Sequence, residues 1–234
     1  TDTQGQPMTE PIANRRRALK GLGALAGSGA AALAGCAASP AAPTSSAAPV
    51  NVGTGDLGLV IERARGAVAV VNTSSPRVLG EVIGLGDLSH ASVVFSRDGL
   101  YGYVFGRDGG LTRVNLLTRA IEQRVMQAGN SIGGAISADG TLVAAQNYTP
   151  GGVKVFDAGT LELLADIPAV IDAGGPGARL SRVVGLVDLP GRRFAFSLFD
   201  AGEIWVVAVG SGGALAVRRF ADVGRQPYDG FVTP

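Results

Sequence analysis

A short peptide pattern that recurs after 41 residues limits the fold of this chain more than any other feature. Phe95-Ser96-Arg97-Asp98-Gly99 returns as Ile136-Ser137-Ala138-Asp139-Gly140, and each copy precedes a strand-like run, a Gly-containing loop and another such run. A third copy carries Leu189-Pro190-Gly191 at its turn, and an earlier one covers residues 58–82 without its first strand. Self-similarity at this period is typical of architectures in which each unit packs on its neighbours.

The units of this repeat are made of strands. From residue 53 onward, short runs of Val, Ile, Leu, Phe and Tyr are separated every 8 to 12 residues by turn signals, and no helical stripe interrupts them. Four-stranded units of about 40 to 50 residues predict the blades of a β-propeller. A β-sandwich is the alternative, although a sandwich does not require the repeat. We therefore predict an all-β chain with about four propeller blades.

The last residues repeat the beginning of a blade. Phe231-Val232-Thr233-Pro234 aligns with Val94-Phe95-Ser96-Arg97, so the sequence stops one residue before the next Asp-Gly turn is due. Domains rarely end inside an innermost strand, because its pairing edge would be exposed. This pattern predicts a truncated propeller that belongs to a larger ring.

The first part of the chain has the features of an export signal. Basic side chains around Arg15-Arg16 precede an apolar run at residues 21–34, which is too short to cross about 30 Å of hydrocarbon as a helix. The paired arginines, followed by Leu19 and Lys20, resemble the twin-arginine signal that exports folded proteins. We expect export to the periplasm.

A lipid attachment site follows the apolar run. Leu33-Ala34-Gly35-Cys36 resembles a bacterial lipobox, in which the Cys is lipidated and becomes the new N-terminus. Ala37 follows the Cys, and by resemblance to lipoprotein sorting this favours retention at the outer membrane. The predicted domains are the export signal with its lipobox at 1–36, a flexible Ala/Ser/Pro-rich tether at 37–52 and the partial propeller at 53–234.

Composition excludes several classes of protein. The sequence has 20 basic and 19 acidic residues, a balance that argues against nucleic acid as a partner. It contains one Cys and one His, which cannot form a Cys/His zinc site or an internal disulfide. Neither a structural zinc nor a disulfide framework is therefore expected.

The register of the repeat brings six residues to one end of the predicted blades. Gly99, Gly140 and Gly191 are taken as equivalent positions of the repeat. Nine residues before each of them, an innermost strand begins. Eight residues after each of them, the antiparallel second strand ends. Both ends meet at one mouth of a propeller channel. The predicted mouth residues are His90, Arg107, Ser131, Tyr148, Arg182 and Phe199.

These side chains suit a flat, apolar ligand that bears carboxylates. Arginine binds carboxylates through two parallel hydrogen bonds, aromatic rings stack, and a neutral imidazole coordinates metals. One alternative is a rim whose polar residues only face solvent. Another is a Ser-His-Asp hydrolase built from Ser89, His90 and Asp87, but these residues are neighbours in sequence and no nucleophile elbow accompanies them.

Six segments within residues 53–234 resemble a known family. They are Gly86–Ser92, Phe95–Gly99, Tyr103–Gly109, Gly129–Gly134, Asn147–Gly152 and Gln226–Gly230. They resemble the d1-heme domain of cytochrome cd1 nitrite reductase, and they are more similar still to the NirF-like proteins of heme d1 biosynthesis. The resemblance implies an eight-bladed propeller in the periplasm that binds heme d1 or a d1 precursor.

The resemblance also assigns roles to two residues. His90 occupies the position of the proximal iron ligand, and Arg107 that of an Arg that contacts a tetrapyrrole carboxylate. The sequence departs from the reductase at Val93, where the reductase has Arg, and it offers no second His for the distal side. A Cys-x-x-Cys-His site for c-type heme is also missing from the sequence, so nitrite reduction is not expected.

Two functions follow from the resemblance. In the first, the chain binds a late dihydro-d1 tetrapyrrole and assists a final side-chain modification such as a dehydrogenation. His90 would be the catalytic, iron-ligating residue, Arg107 and Arg182 would pair with carboxylates, and Tyr148 and Phe199 would cover the macrocycle. No nicotinamide or flavin motif is evident, so electrons would leave through a partner.

The second function is that of a non-catalytic carrier or chaperone, which would deliver heme d1 to nitrite reductase. A propeller scaffold without pigment is a third possibility. The expected partners are the tetrapyrrole, other d1-biosynthesis proteins and nitrite reductase, with membrane contact only through the lipid anchor and none with nucleic acid.

Overall fold

A computed structural model describes residues 54–233 of the chain. The predicted export signal, the lipidation site Cys36 and the tether lie outside the described residues. Within residues 54–233, no helix has the length and apolar character that a membrane crossing requires.

Four antiparallel sheets follow one another in chain order. Blade I has three strands: β1 (Leu57–Glu62), β2 (Ala67–Asn72) and β3 (Arg77–Val82). Blade II has four: β4 (Ser92–Phe95), β5 (Tyr101–Phe105), β6 (Gly110–Asn115) and β7 (Ala120–Met126). Blade III has β8 (Asn130–Ile136), β9 (Leu142–Thr149), β10 (Gly152–Asp157) and β11 (Leu163–Ile167).

A small hairpin separates the third sheet from the fourth. Its strands are β12 (Val170–Ile171) and β13 (Arg179–Leu180). Blade IV contains β14 (Val183–Leu189), β15 (Arg193–Leu198), β16 (Glu203–Val209) and β17 (Leu215–Phe220). Two short 3-10 helices lie at Thr54–Asp56 and Ser211–Gly213.

The recurring Ser-x-Asp-Gly pattern forms the turn between the first and second strands of a blade. In blade II the Ser96 hydroxyl donates to Oδ1 of Asp98 at 2.5 Å, and Gly99 has a φ of +69°. The equivalent bond in blade III joins Ser137 to Asp139, again at 2.5 Å. A positive φ is readily adopted only by glycine, so this turn requires glycine. The pattern that recurs after 41 residues is therefore the same turn, present in blade II and again in blade III.

Each blade packs on the next through an apolar core. Val68 and Val70 of blade I meet Val104 and Val114 of blade II. Phe105 of blade II belongs to the core shared with blade III, and Trp205 of blade IV to the core shared between blades III and IV. A succession of four sheets, each packed on the following one, confirms the predicted propeller arc and excludes a two-sheet sandwich. Within residues 54–233, no first strand precedes the three strands of blade I, in line with the repeat.

Blades II and III approach each other closely at Gly134. A Cβ atom at this position would lie 2.2 Å from the carbonyl oxygen of Ala144 and 2.3 Å from the ring of Phe105. Real Cβ contacts are not this short, so blade III can approach the Phe105 ring only because residue 134 has no side chain.

The last residues lie beside blade IV without joining a sheet. The structure assigns no strand to residues 221–233. The carbonyl oxygen of Tyr228 accepts the Ser197 hydroxyl at 2.6 Å, and Phe231 is 92% exposed. The predicted innermost strand is therefore not formed, because such a strand pairs with the second strand of its own sheet and the described residues contain none after it.

Candidate functional site

The strand registers define a common end for blades II, III and IV. Ser92 pairs with Phe105, Asn130 with Thr149, and Val183 with Leu198, so each first strand begins beside the end of the second strand. We call this end of the three blades the upper rim.

The opposite end of the same strands shows that the first strands run in parallel. Arg97, just after β4, donates to the carbonyl oxygens of Ile136 at 2.7 Å and Ser137 at 3.0 Å, where β8 ends. It also donates to Oδ2 of Asp188 in β14 at 2.8 Å. Because the last residues of the three strands meet, their first residues share the upper rim. All six predicted mouth residues therefore lie at the same end of the arc.

Arg182 forms the centre of a group on this rim. Its Nη1 atom donates to the Tyr148 hydroxyl at 2.8 Å, and its guanidinium carbon lies 4.4 Å from the centroid of the Phe199 ring. Arg182 and Phe199 belong to blade IV, and Tyr148 belongs to blade III. The structure thus brings three of the six predicted residues into contact, as a cation stacked on one aromatic ring and hydrogen-bonded to another.

Asp200 completes the group, although it is absent from the predicted set. Its carboxylate accepts the Arg182 Nε–H at 3.0 Å and an Nη2–H, and its Oδ2 accepts the backbone N–H of Arg182 at 2.9 Å. With the bond to Tyr148, these side-chain contacts engage three of the five N–H groups of Arg182. A sequence signal exists, because Asp200 follows Gly191 by the same nine residues that separate Asp108 from Gly99.

The ion pair between Arg182 and Asp200 shifts the pKa values of both side chains. Hydrogen bonds from the Arg182 guanidinium favour the ionised carboxylate and lower the pKa of Asp200 below its ordinary value of 3.8, although partial burial opposes the shift. The same contacts with Asp200 raise the pKa of Arg182 above its ordinary value. A ligand carboxylate must therefore compete with Asp200 for Arg182, contrary to the simple carboxylate-binding role expected of that residue.

The lowered pKa of Asp200 predicts an acid-sensitive contribution to stability. A carboxyl whose pKa is depressed by folding stabilises the protein above its unfolded pKa and loses that contribution as the pH falls through the folded pKa. We expect the unfolding midpoint in urea to differ between the native protein and Asp200→Asn at pH 7, and this difference to shrink below about pH 4. Asp172→Asn, at an exposed ion pair with Arg179, should change little at either pH. A difference that persists undiminished at pH 2 to 3 would contradict this prediction.

A cleft opens beside the Arg182 group. Its volume is about 500 Å³, within the usual range for small-molecule sites. Tyr228 meets Phe199 edge to face, with the ring centroids 6.4 Å apart. Tyr228 is not in the predicted set, but it lies in one of the six family-like segments. The lining residues are Phe199, Asp200, Ala201, Gly202, Asp222, Gly224, Arg225 and Gln226.

Ser131 lies at the rim but does not face it. The side chain is fully buried, and its hydroxyl donates to the carbonyl oxygen of Gln146 at 2.8 Å. The pairing of β8 with β9 is irregular on both sides of Ser131, and such a bulge re-aims side chains. The Ser131 hydroxyl is therefore buried and bonded to the backbone in this structure, and its contact with a ligand stays a prediction.

His90 and Arg107 form a second, separate part of the rim. Both are exposed, and they lie just outside the paired ends of β4 and β5. The backbone N–H of Arg107 donates to the carbonyl oxygen of Asp87 at 2.7 Å. No described residue makes a side-chain hydrogen bond or ion pair with either His90 or Arg107. Both side chains are thus available to a ligand.

Asp87 interacts with Ser89 rather than with the imidazole. Its Oδ1 atom accepts the backbone N–H of Ser89 at 2.8 Å, and hydrogen bonds from Ser89 lower the pKa of Asp87. A hydrolytic triad requires the carboxylate to orient the imidazole and the imidazole to contact the serine. The contacts of Asp87 give no support to the hydrolase alternative.

Fold and rim together define an arc of β-propeller blades with a ligand-sized cleft at one mouth. Residues 52–234 match the model of the cytochrome D1 heme domain, so the chain belongs to the cytochrome d1 heme domain family. Within this family it is NirF-like. It is 60% identical over 182 residues to Protein NirF from Stutzerimonas stutzeri and 59% identical over 182 residues to Protein NirF from Pseudomonas aeruginosa. Each alignment covers 78% of this chain and 46% of the relative, so the chain spans about half of their length.

Three further similarities were found, the last of which concerns the fold alone. The dihydro-heme d1 dehydrogenase of Pseudomonas aeruginosa is 34% identical over 132 residues, which are 56% of this chain and 26% of that protein. The solved structure of the dihydro-heme d1 dehydrogenase NirN in complex with DHE superposes with a TM-score of 0.62 at 29% identity, over 71% of this chain and 35% of that chain. A protein of unknown function from Desulfotomaculum acetoxidans shares the fold, with a TM-score of 0.59 at 13% identity over 74% of this chain and 53% of that one.

Proposed function

We propose that this chain binds a d1-type tetrapyrrole at the upper rim and takes part in heme d1 biosynthesis. The observation that carries the proposal is the stack of Arg182 on Phe199, with Tyr148 beside it, at the edge of a cleft of about 500 Å³. A planar cation and aromatic rings around an open cleft suit a flat macrocycle. Similarity to the NirF proteins and to a dehydrogenase named for dihydro-heme d1 supports the same ligand class.

His90 and Arg107 would bind the polar parts of this ligand. An exposed imidazole without a side-chain partner among the described residues can offer a neutral nitrogen to the iron of the pigment. Arg107 is equally unengaged and can form two parallel hydrogen bonds with a carboxylate of the pigment. Arg107 is better suited to this task than Arg182, because Asp200 already balances the charge of Arg182.

The first candidate activity is a final side-chain modification of dihydro-d1. A dehydrogenation removes two hydrogen atoms as two electrons and two protons, and the electrons would pass to an external acceptor. His90 would be the catalytic residue through its contact with the iron of the pigment. Arg107 and the Arg182–Phe199 stack would hold the macrocycle in place during the reaction.

Carriage of the pigment is the second candidate activity, and one observation favours it. The pKa values of the rim carboxylates Asp87 and Asp200 are lowered by their hydrogen-bond donors. Efficient general bases have a pKa near the working pH, so these two carboxylates are poorly suited to remove a proton. A rim whose carboxylates Asp87 and Asp200 are poorly suited to remove a proton is compatible with a carrier that delivers heme d1 to nitrite reductase.

Binding and product analysis test the proposal. We expect the full-length protein to change the Soret absorbance of both heme d1 and dihydro-heme d1, and to change that of iron protoporphyrin IX less. Anaerobic incubation of dihydro-heme d1 with an added electron acceptor, followed by mass spectrometry, separates the two activities. A product lighter by two hydrogens supports modification, whereas unchanged pigment transferred to apo nitrite reductase supports carriage. Unchanged absorbance with both d1 pigments would refute tetrapyrrole binding.

A further inference from the structure

Asp108 connects several parts of the upper rim in blade II. It lies between β5 and β6, and its Oδ1 atom accepts the backbone N–H of Gly110 at 3.0 Å. Its Oδ2 atom accepts Arg124 Nη2 at 2.6 Å and the backbone N–H of Asp87 at 3.3 Å. The preceding residue, Arg107, donates its N–H to the carbonyl oxygen of Asp87 at 2.7 Å. Residues 107 and 108 therefore form hydrogen bonds with the backbone carbonyl and the backbone N–H of Asp87, respectively.

The segment that Asp108 holds leads directly to His90. Leu85 and Leu88 anchor it in the core between blades I and II, with 1% and 0% exposure. The bond from the Ser89 N–H to the Asp87 carboxylate shapes the following turn. His90 is the exposed end of this segment, so the direction of its imidazole depends on where Asp87 is held.

The contact between Asp108, Arg124 and the segment is close. A Cβ atom at Gly86 would lie 2.1 Å from Asp108 Oδ2 and 2.4 Å from Arg124 Nη2. Gly86 also has a φ of +80°, which glycine adopts most readily. The ion pair thus lies directly against the backbone of the segment and is itself largely shielded from solvent, at 20% and 28% side-chain exposure.

Blade IV has a related arrangement, in which the aspartate holds the backbone of the rim residue itself. Asp200, at the position equivalent to Asp108, accepts the backbone N–H of Arg182 at 2.9 Å. In both blades the first strand begins after the rim residue, so strand hydrogen bonds do not reach that residue. Blade III has Thr149 at this position, and there β8 begins early enough for Asn130 to pair with Thr149. A carboxylate is present where strand pairing does not hold the rim segment.

We propose that Asp108 is a positioning residue for His90, which it orients at the upper rim by holding the backbone of residues 86–87. The consequence for pigment binding rests on the proposed function, whereas the orientation of the imidazole does not. Asp108 does not touch the ligand in this proposal. It limits the directions from which His90 can approach an iron atom.

The proposal is tested by NMR of the full-length protein with 13C-labelled histidine, in which the His90 signal is identified by its loss in His90→Ala. We expect Asp108→Asn to move and sharpen the His90 ring signal toward that of free histidine. We also expect it to weaken heme d1 binding roughly 10-fold to 100-fold, as removal of a group that orients a metal ligand typically does. Asp98→Asn is the matched control, because Asp98 also accepts a backbone N–H, from Leu100 at 3.0 Å, together with the Ser96 hydroxyl at 2.5 Å, but at the opposite end of blade II.

Each outcome decides the proposal. An unchanged His90 signal in folded Asp108→Asn overturns it, as does an equal change in Asp98→Asn. If Asp108→Asn does not fold, Asp108→Glu keeps the charge but moves the carboxylate relative to the Asp87 N–H, and its His90 signal decides in the same way. If heme d1 does not bind to the native protein, the proposed function is refuted. The NMR comparison without pigment still tests the role of Asp108 in that case.

Discussion

Replacing His90 with Ala is expected to weaken heme d1 binding by at least about 100-fold and to remove the absorbance features of imidazole ligation. Loss of a group that merely orients a metal ligand typically costs 10-fold to 100-fold in affinity, so loss of His90, the proposed ligand, should reach or exceed the upper limit. The 234-residue sequence contains one His, so no other imidazole in it can take this place. Equilibrium titration of heme d1 followed by absorbance measures the effect.

Stability and rescue provide the controls for this prediction. His90 is exposed and makes no described side-chain hydrogen bond, so the free energy of unfolding should change by no more than about 0.5 kcal/mol. Free imidazole added to His90→Ala should restore much of the ligation spectrum, because it can occupy the vacated position on the iron. Native-like heme d1 affinity in His90→Ala would remove His90 from the site.

Phe105→Ala is expected to lower the free energy of unfolding by about 3 to 5 kcal/mol. The ring is fully buried in the core shared by blades II and III and faces the backbone at Gly134. Removing it loses the transfer free energy of the ring and leaves a cavity between the two sheets. Denaturation in urea, with the midpoint and slope measured together, gives the change in free energy.

Phe95→Ala is the matched control in the same sheet. It deletes the same atoms, but Phe95 is 37% exposed and lies at the end of β4. We expect a much smaller loss, because exposed atoms gain little transfer free energy on folding. Equal losses in the two variants would show that Phe105 does not join blades II and III as its burial indicates.

Much of the architecture could be predicted because its signals are local. The Ser-x-Asp-Gly turn requires a glycine at positive φ and a short carboxylate side chain, and both are visible in the sequence. Short runs of apolar residues mark the strands that these turns connect. Counting along the repeat from Gly99, Gly140 and Gly191 was therefore enough to place six residues at one end of the blades.

The contacts among those residues could not be predicted by counting. Whether Ser131 faces a ligand depends on an irregular register in β8, which a fixed count along the chain cannot detect. The availability of Arg182 depends on Asp200, which contacts it from the end of the neighbouring strand. Both side chains are polar and correctly placed in sequence, yet one is buried and the other is already engaged.

Periodicity and turn chemistry were sufficient to predict the strands, the blade order and the end of the blades at which the six candidate residues lie, because each depends on residues close together in the chain. The tertiary structure alone decided which rim groups remain available to a ligand. Residues far apart in sequence meet across strands and between blades, and the hydrogen bonds formed there engage Arg182 and Ser131 while leaving His90 and Arg107 exposed.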